Sequence, residues 1–441
     1  MITNEPKIKV AILQNYSEAE IVLNGNFRLS DGFSLRGKIV AKAESSLIRL
    51  SDSNEAEVSR QKEFIFAADT GATFTVKNVQ IGIDFHWERL QEQSFSGNII
   101  LHANADSTFN LINEISLEDY LASVISSEMS AAAPLEFLKA QAITARSWLV
   151  AMLERKKQNP AAVKTEFISE NEIIRWFDIN DHDFFDVCAD DHCQRYQGIS
   201  QIISANVDAA IQATHGVFLV YGNEICDARY HKTCGGRTEI FATAWEDKSL
   251  PYLQSVTDYS AAHSPVNSED ETRRWLTTEP SAYCNTQDSA LLRRILPPFD
   301  QETPDFYRWQ VSYSREELET LIHKKSGIDI GNLQNIVPLQ RGPSGRISKL
   351  KIEGSKRSIM IGKELEIRRW LSPSHLLSSA FIIETQDGRD GLPEKFILRG
   401  GGWGHGVGLC QIGAAVMALK GFSVTDILAH YFSGAQLQKI Y

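Results

Sequence analysis

SLEDYLASVISSEMSAAAPLEFLKAQAITARSWLVAMLERKK, residues 116–157, is where the periodicity of the chain changes. Upstream, KIKVAILQ, AEIVLNG, SLRGKIVAK and SSLIRLSD alternate apolar and polar side chains between Gly, Asn, Asp and Ser breakers, which predicts short strands. SGNIILHANADSTFNLINEI, residues 96–115, reads as a hairpin. From Ser116 the apolar residues recur at helical spacing instead. Ser116 followed by Asp119 resembles a capping box, and Pro134 suits the first position of a second helix. Further on, ISANVDAAIQAT predicts another helix, and GVFLVYGNEICDARYHKTCGG predicts two strands joined through Gly222-Asn223. RISKLKIEG and RSIMIGKELEI read as strands, and two helices close the chain, the second capped by Ser423. The expected class is therefore α+β: a β-rich N-terminal module over residues 1–95, then a mixed α/β domain over 96–441. Pro-rich joints and the helical SREELETLIHKK mark an insertion, an inserted subdomain at about 260–345.

Composition narrows the function classes. Of 441 residues, 43% are hydrophobic and 9% aromatic, enough for a packed core and against intrinsic disorder. A formal net charge of -11 without a long basic stripe argues against nucleic acid or an anionic membrane as partner, and leaves room for a neutral or sugar-like one. No window predicts a transmembrane segment. The first residues lack a basic n-region, an apolar h-region and a cleavage site, so the expectation is either a cytoplasmic protein or a chain whose export signal has been removed. Six cysteines, four of them between Cys188 and Cys234, do not make a disulfide scaffold.

One carboxylate falls on an apolar stripe. Leu117, Leu121 and Val124 follow helical spacing, and the next position is Glu128. Such a glutamate is paired, solvated at a frayed helix end, or kept desolvated for a purpose. Spacing alone favours the solvated end, whereas desolvation disfavours a carboxylate and would suit a general acid near neutral pH. Glu118 and Asp119 sit in the first turn, where the helix dipole accounts for them. Gln141 and Arg146 flank the next helix and could hold a carboxylate or a ligand hydroxyl.

HDFFDVCADDHCQRYQG brings His182, Cys188, His192 and Cys193 together, with Asp186, Asp190 and Asp191 between them. Two imidazoles and two thiolates suit tetrahedral zinc, although this spacing is not a standard finger. A Cys188–Cys193 disulfide is equally compatible. Cys284 and Cys410 have no evident partners. His231 and Cys234, before two glycines, allow a Cys-His nucleophile, but no third residue orients the imidazole.

RGGGWGHGVGLCQIGAAVMALKGFS, from Arg399, places six glycines around Trp403 and His405. It lacks the G-K-[ST] of a phosphate cradle. An indole between glycines can stack on a pyranose face, with His405 and Gln411 hydrogen-bonding hydroxyl or acetamido groups. A tight structural turn explains the glycines, Gly406 among them, but not Trp403 and His405.

Three stretches, NEISLEDYLASVISSEMSAAAPLEFLKAQAITARSWL, YHKTCGGRTE and GGWGHGVGLCQIGAAVMALKGFSVTDILAHYFSGAQL, together resemble the stage II sporulation protein D family, which includes the amidase enhancers. The resemblance runs from about residue 95 to 441. It implies a lytic transglycosylase that cuts the glycan backbone of peptidoglycan, preferring strands without stem peptides, in the cell envelope. It places the family's acidic residue on Glu128 and its substrate-binding positions on Gln141, Arg146, His231, Trp403, His405, Gly406 and Gln411. It also implies a possible zinc at His182, Cys188, His192 and Cys193, and a cell-wall amidase as a possible partner. Ser130 departs from the family's usual Pro and leaves Glu128 in register.

Overall fold

The computed structural model describes residues 2–83, 88–158, 165–176, 182–261, 266, 268–388 and 391–441. Of the inserted segment expected at about 260–345, residues 262–265 and 267 lie outside the described residues. The fold is α+β, and the chain forms two compact units: residues 1–138, 179–217 and 439–441, and residues 139–178 and 218–438.

The first unit is built on an eleven-stranded sheet. The strands expected from alternation are Lys7–Tyr16, Glu18–Leu29, Ser34–Glu44 and Leu47–Ser51, and the hairpin is Asn98–Ala103 with Phe109–Ser116. Phe27, Phe66, Phe74, Phe95 and Phe109 supply the buried face, where aromatic burial contributes most per residue. Lys7–Tyr16 pairs antiparallel with Phe109–Ser116 and parallel with Val187–Cys188, so Cys188 stands on the edge strand. The helix Leu117–Glu128 leaves directly from Phe109–Ser116. Ser116 caps it by accepting the Asp119 N–H at 3.3 Å. All of its residues except Asp119 are buried, so it has no solvent face, unlike an amphipathic surface helix. Its inner hydroxyls are satisfied locally: Ser126 and Ser127 donate to the carbonyls of Ala122 and Ser123.

The helix Leu135–Gln158 carries the chain into the second unit. Its segment from Ala140 to Ser147 is sealed on all sides. Thr144 and Ser147 bond back to carbonyls one turn earlier, and the Ser147 hydroxyl also accepts the Leu219 N–H at 2.8 Å. A five-stranded and a three-stranded sheet enclose a core that includes Leu318, Leu350 on the strand Ile347–Gly354, Trp370, Phe381 and Phe396.

The sequence pattern of RSIMIGKELEI predicts one strand, but the strand stops at Gly362 and Glu364–Trp370 is a helix. The reason is pairing at helical spacing: Glu366 accepts from Trp370 Nε1 at 2.8 Å and from Arg369 at 2.6 Å, which draws Ile367 and Trp370 into the core. The closing helices are Gln411–Leu419 and Val424–Tyr431, the latter with a complete Ser423/Asp426 capping box.

Candidate functional site

In the first unit Glu128 ends its helix with little access to water. It is 8% exposed, and the Arg195 backbone N–H donates to its Oε1 at 3.1 Å. The solvated-end reading therefore gives way to a held carboxylate. Arg195 also donates through Nε to Asp191 Oδ1 at 2.6 Å, so one residue serves both carboxyl groups. Burial pushes the Asp191 carboxyl up to about 7, against the pull of Arg195, with the charges of Asp190 and Glu128 adding to the rise. Sequence reasoning places Asp191 only among the metal-like residues. Its link to Glu128 depends on a fold contact that no spacing rule describes.

The His/Cys cluster is assembled as expected. One ligand atom from each of His182, Cys188, His192 and Cys193 lies within 4.8 Å of the others. His182 Nε2 is 3.3 Å from Cys193 Sγ, and His192 Nδ1 is 3.5 Å from Cys193 Sγ and 3.9 Å from Cys188 Sγ. Tetrahedral zinc with ordinary bond lengths separates nitrogen and sulfur ligands by about 3.5 Å, so the donor set fits. The Cys188 thiol is lowered to about 2, chiefly because it accepts from Cys193, with His182 and His192 assisting against burial. All six cysteines are free thiols, so Cys188 and Cys193 are not joined in a disulfide.

In the second unit the glycine loop wraps a side chain that sequence reasoning misses. Arg346 is fully buried and donates to the Gly404 carbonyl through Nε at 3.2 Å and a terminal nitrogen at 3.1 Å. At Gly406 the backbone has φ +81°, and a Cβ there would lie 2.4 Å from the Arg346 guanidinium carbon. The close approach of Arg346 requires glycine. No signal in the sequence marks Arg346, because its partner lies 58 positions away.

Trp403 pairs through its backbone with Thr233 in both directions, and its side chain keeps 9% exposure, far less than an open stacking platform. His231 and His405 pack edge to face, with ring centroids 5.6 Å apart. Burial, with the charge of Arg346 adding, lowers His231 to about 3, and burial holds His405 well below the usual histidine range. Both imidazoles are therefore neutral near pH 7. His231 Nδ1 donates to the Val407 carbonyl at 3.1 Å, which leaves Nε2 as an acceptor; His405 Nδ1 accepts the Val407 N–H at 3.0 Å, which leaves its Nε2 as a donor. A hydroxyl both donates and accepts, so the pair matches hydroxyl chemistry.

Three residues singled out from the sequence carry buried polar atoms without a protein partner among the described residues: both amide atoms of Gln141, the amide nitrogen of Gln411, and His231 Nε2. Buried polar groups are normally satisfied, so these atoms call for water or a ligand. Strand pairing of His231 with Cys410 sets His231 beside Gln411. Arg146 is fully buried, with its guanidinium 5.9 Å from the Phe218 ring. Cys234 is buried with its thiol raised well above the usual range, which argues against a cysteine nucleophile.

Comparison with known proteins matches two stretches of the chain. A stage II sporulation protein family profile matches residues 105–221, which contain Glu128 and the His/Cys cluster, and a domain of unknown function matches residues 239–408. The chain is 24% identical over 329 residues to stage II sporulation protein D of Bacillus amyloliquefaciens, covering 74% of this chain and 76% of the relative. It is 24% identical to the stage II sporulation protein D of Bacillus subtilis over 74% of this chain and 76% of the relative. The amidase enhancer of Bacillus subtilis is also 24% identical, over 72% of this chain but only 40% of its own length. Over residues 105–221 the chain is similar to the stage II sporulation protein family.

Proposed function

We propose that the protein is a cell-envelope lytic transglycosylase acting on the glycan backbone of peptidoglycan. The observation that carries this reading is Glu128, a carboxyl side chain buried at a helix end and held by a backbone N–H. Relatives named for sporulation and for enhancement of an amidase support a role at the cell wall. In the proposed reaction Glu128 protonates the glycosidic oxygen between N-acetylmuramic acid and N-acetylglucosamine. The resulting carboxylate then takes the proton of the muramic acid C6 hydroxyl as that oxygen closes on C1, giving a 1,6-anhydro end. Atoms balance without water, and one carboxyl group serves twice. Hydrolytic glycosidases, in contrast, need a second carboxylate as nucleophile or base.

Within the second unit, the neutral His231 and His405, with Gln141 and Gln411, offer hydroxyl and amide partners to a bound sugar, and Trp403, Gly406 and Arg146 shape their surroundings. Zinc at His182, Cys188, His192 and Cys193 would be structural, since four protein ligands leave no open position. Glu128→Gln is expected to lower release of anhydro ends from denuded glycan strands by at least about a hundredfold while leaving strand binding intact. Mass spectrometry of the products of the protein alone provides the check. Wild-type protein that binds strands but releases no anhydro ends would replace the enzyme by a glycan-binding enhancer of a cell-wall amidase.

A further inference from the structure

The second unit holds another group of metal-ligating side chains. One ligand atom from each of Cys234, Asp258, Cys284 and Cys410 lies within 4.8 Å of the others, and all four residues are buried. They come from four separate segments, and the region 239–408 begins just after Cys234 and ends just before Cys410.

The spacing of the donor atoms fits a single cation. Cys234 Sγ and Cys284 Sγ are 3.6 Å apart. That is far beyond a disulfide bond of about 2.05 Å. It is close to the roughly 3.8 Å between two thiolates on one tetrahedral zinc. Backbone N–H groups point at the sulfurs: Gly236 N–H donates to Cys234 Sγ and Cys234 N–H to Cys410 Sγ, both at 3.3 Å. Amide donors aimed at sulfur stabilise thiolate, the form that binds metal. Gly235 and Gly236, at φ +76° and +105°, make the turn that allows this.

The carboxyl group is held just as firmly. Asp258 Oδ2 accepts the Cys284 N–H at 2.8 Å, and Oδ1 accepts the Tyr431 hydroxyl. A Cβ on Gly413 would lie 2.4 Å from Asp258 Oδ1, so the helix Gln411–Leu419 approaches the cluster through its one bare position. Three thiols and a carboxyl group brought together away from water are costly without a cation.

We propose that Cys234, Cys284, Cys410 and Asp258 bind one zinc ion as a closed structural site in the second unit. Four protein ligands leave no position for substrate. The ion ties Cys234, which follows Thr233, the pairing partner of Trp403, to Cys410, which precedes Gln411. It thereby anchors the glycine loop at Trp403 and at its C-terminal end. This assignment does not depend on the transglycosylase reading.

The test uses the full chain purified under reducing conditions from zinc-containing medium. In a Cys188→Ser/Cys193→Ser background, elemental analysis is expected to find about one zinc per chain, and adding Cys284→Ser should remove at least about nine-tenths of it. A folded double variant without metal, or a disulfide among Cys234, Cys284 and Cys410 found by mass spectrometry, overturns the proposal. Zinc that survives Cys284→Ser overturns it as well. If the variants do not fold, X-ray absorption of the wild type decides. An average above two sulfurs per zinc supports the site, whereas two or fewer, as for the His/Cys cluster alone, or no zinc at all, overturns it.

Discussion

The two sulfur clusters are opposite solutions to the same chemical problem. The first takes its ligands from residues 182–193 and leaves His192 exposed; the second takes them from four segments spread between Cys234 and Cys410 and seals every one. A local cluster staples a loop, while a distributed one joins parts of a unit that the chain brings together only on folding. The difference teaches where each should matter: the first for the shape of one segment, the second for the stability of a whole unit.

The largest expected effect follows directly. Cys234 and Cys410 are 176 positions apart, against 11 for His182 and Cys193. That ratio is four doublings of loop length, worth about 2.4 kcal/mol in closure entropy. Structural zinc can supply roughly 10 kcal/mol of folding free energy. Cys284→Ser is therefore expected to lower unfolding free energy by more than about 5 kcal/mol, and by about 2 kcal/mol more than Cys188→Ser. Urea titrations of the two variants check this, and equal losses would break the comparison.

Acid should sharpen it next. Burial lowers His231 to about 3 in the folded chain, against an ordinary value near 6.5. Below pH 6.5 the unfolded chain takes up a proton that folded His231 refuses, so stability is complete above that pH and falls as pH drops toward 3. At 1.36 kcal/mol per pKa unit, the loss is on the order of 5 kcal/mol across that window. His405 is shifted in the same direction. Hydrogen exchange at pH 7, 5.5 and 4 should show protection falling first in the second unit. If the first unit loses protection earlier, the histidine pair is not the source.

These contrasts explain how much is legible in the sequence. Alternation finds the early strands because strands such as Glu18–Leu29 bury alternate side chains, and a change of period finds the helix Leu117–Glu128. The 182–193 cluster is legible because its donors are neighbours in sequence. Cys284 and Cys410 look partnerless there, and Arg346 goes unmarked, because each meets its partners across long separations. KELEI reads as strand because its helix depends on the buried Glu366–Trp370 pair, which propensity does not register. The glycine loop is recognisable as special, but the close approach of Arg346 to Gly406 is not.

A smaller effect reverses a usual sign. Gly→Ala inside a helix normally stabilises by about 1 kcal/mol. Gly413 lies inside Gln411–Leu419, yet its Cβ would meet Asp258 Oδ1 at 2.4 Å and the Tyr431 hydroxyl at 2.5 Å. Gly413→Ala is expected to destabilise by about 1–3 kcal/mol, as overpacking does. A thermal melt showing stabilisation would mean that Asp258 and Tyr431 are free to move aside.

The smallest effect compares two caps. Ser116 caps the helix that ends in Glu128, and Ser423 caps the helix that carries Tyr431 to Asp258. Replacing either serine by alanine should cost about 1 kcal/mol. The consequences should differ by cluster. Loosening the Ser423 helix raises the population in which Tyr431 has left Asp258 by about fivefold, since 1 kcal/mol is worth that factor. Zinc release to a chelator from the Cys234 cluster should accelerate by a similar factor in Ser423→Ala and stay unchanged in Ser116→Ala. Equal acceleration in both variants would show that the metal leaves only on global unfolding, and Tyr431 would then have no separate part in holding Asp258 in place.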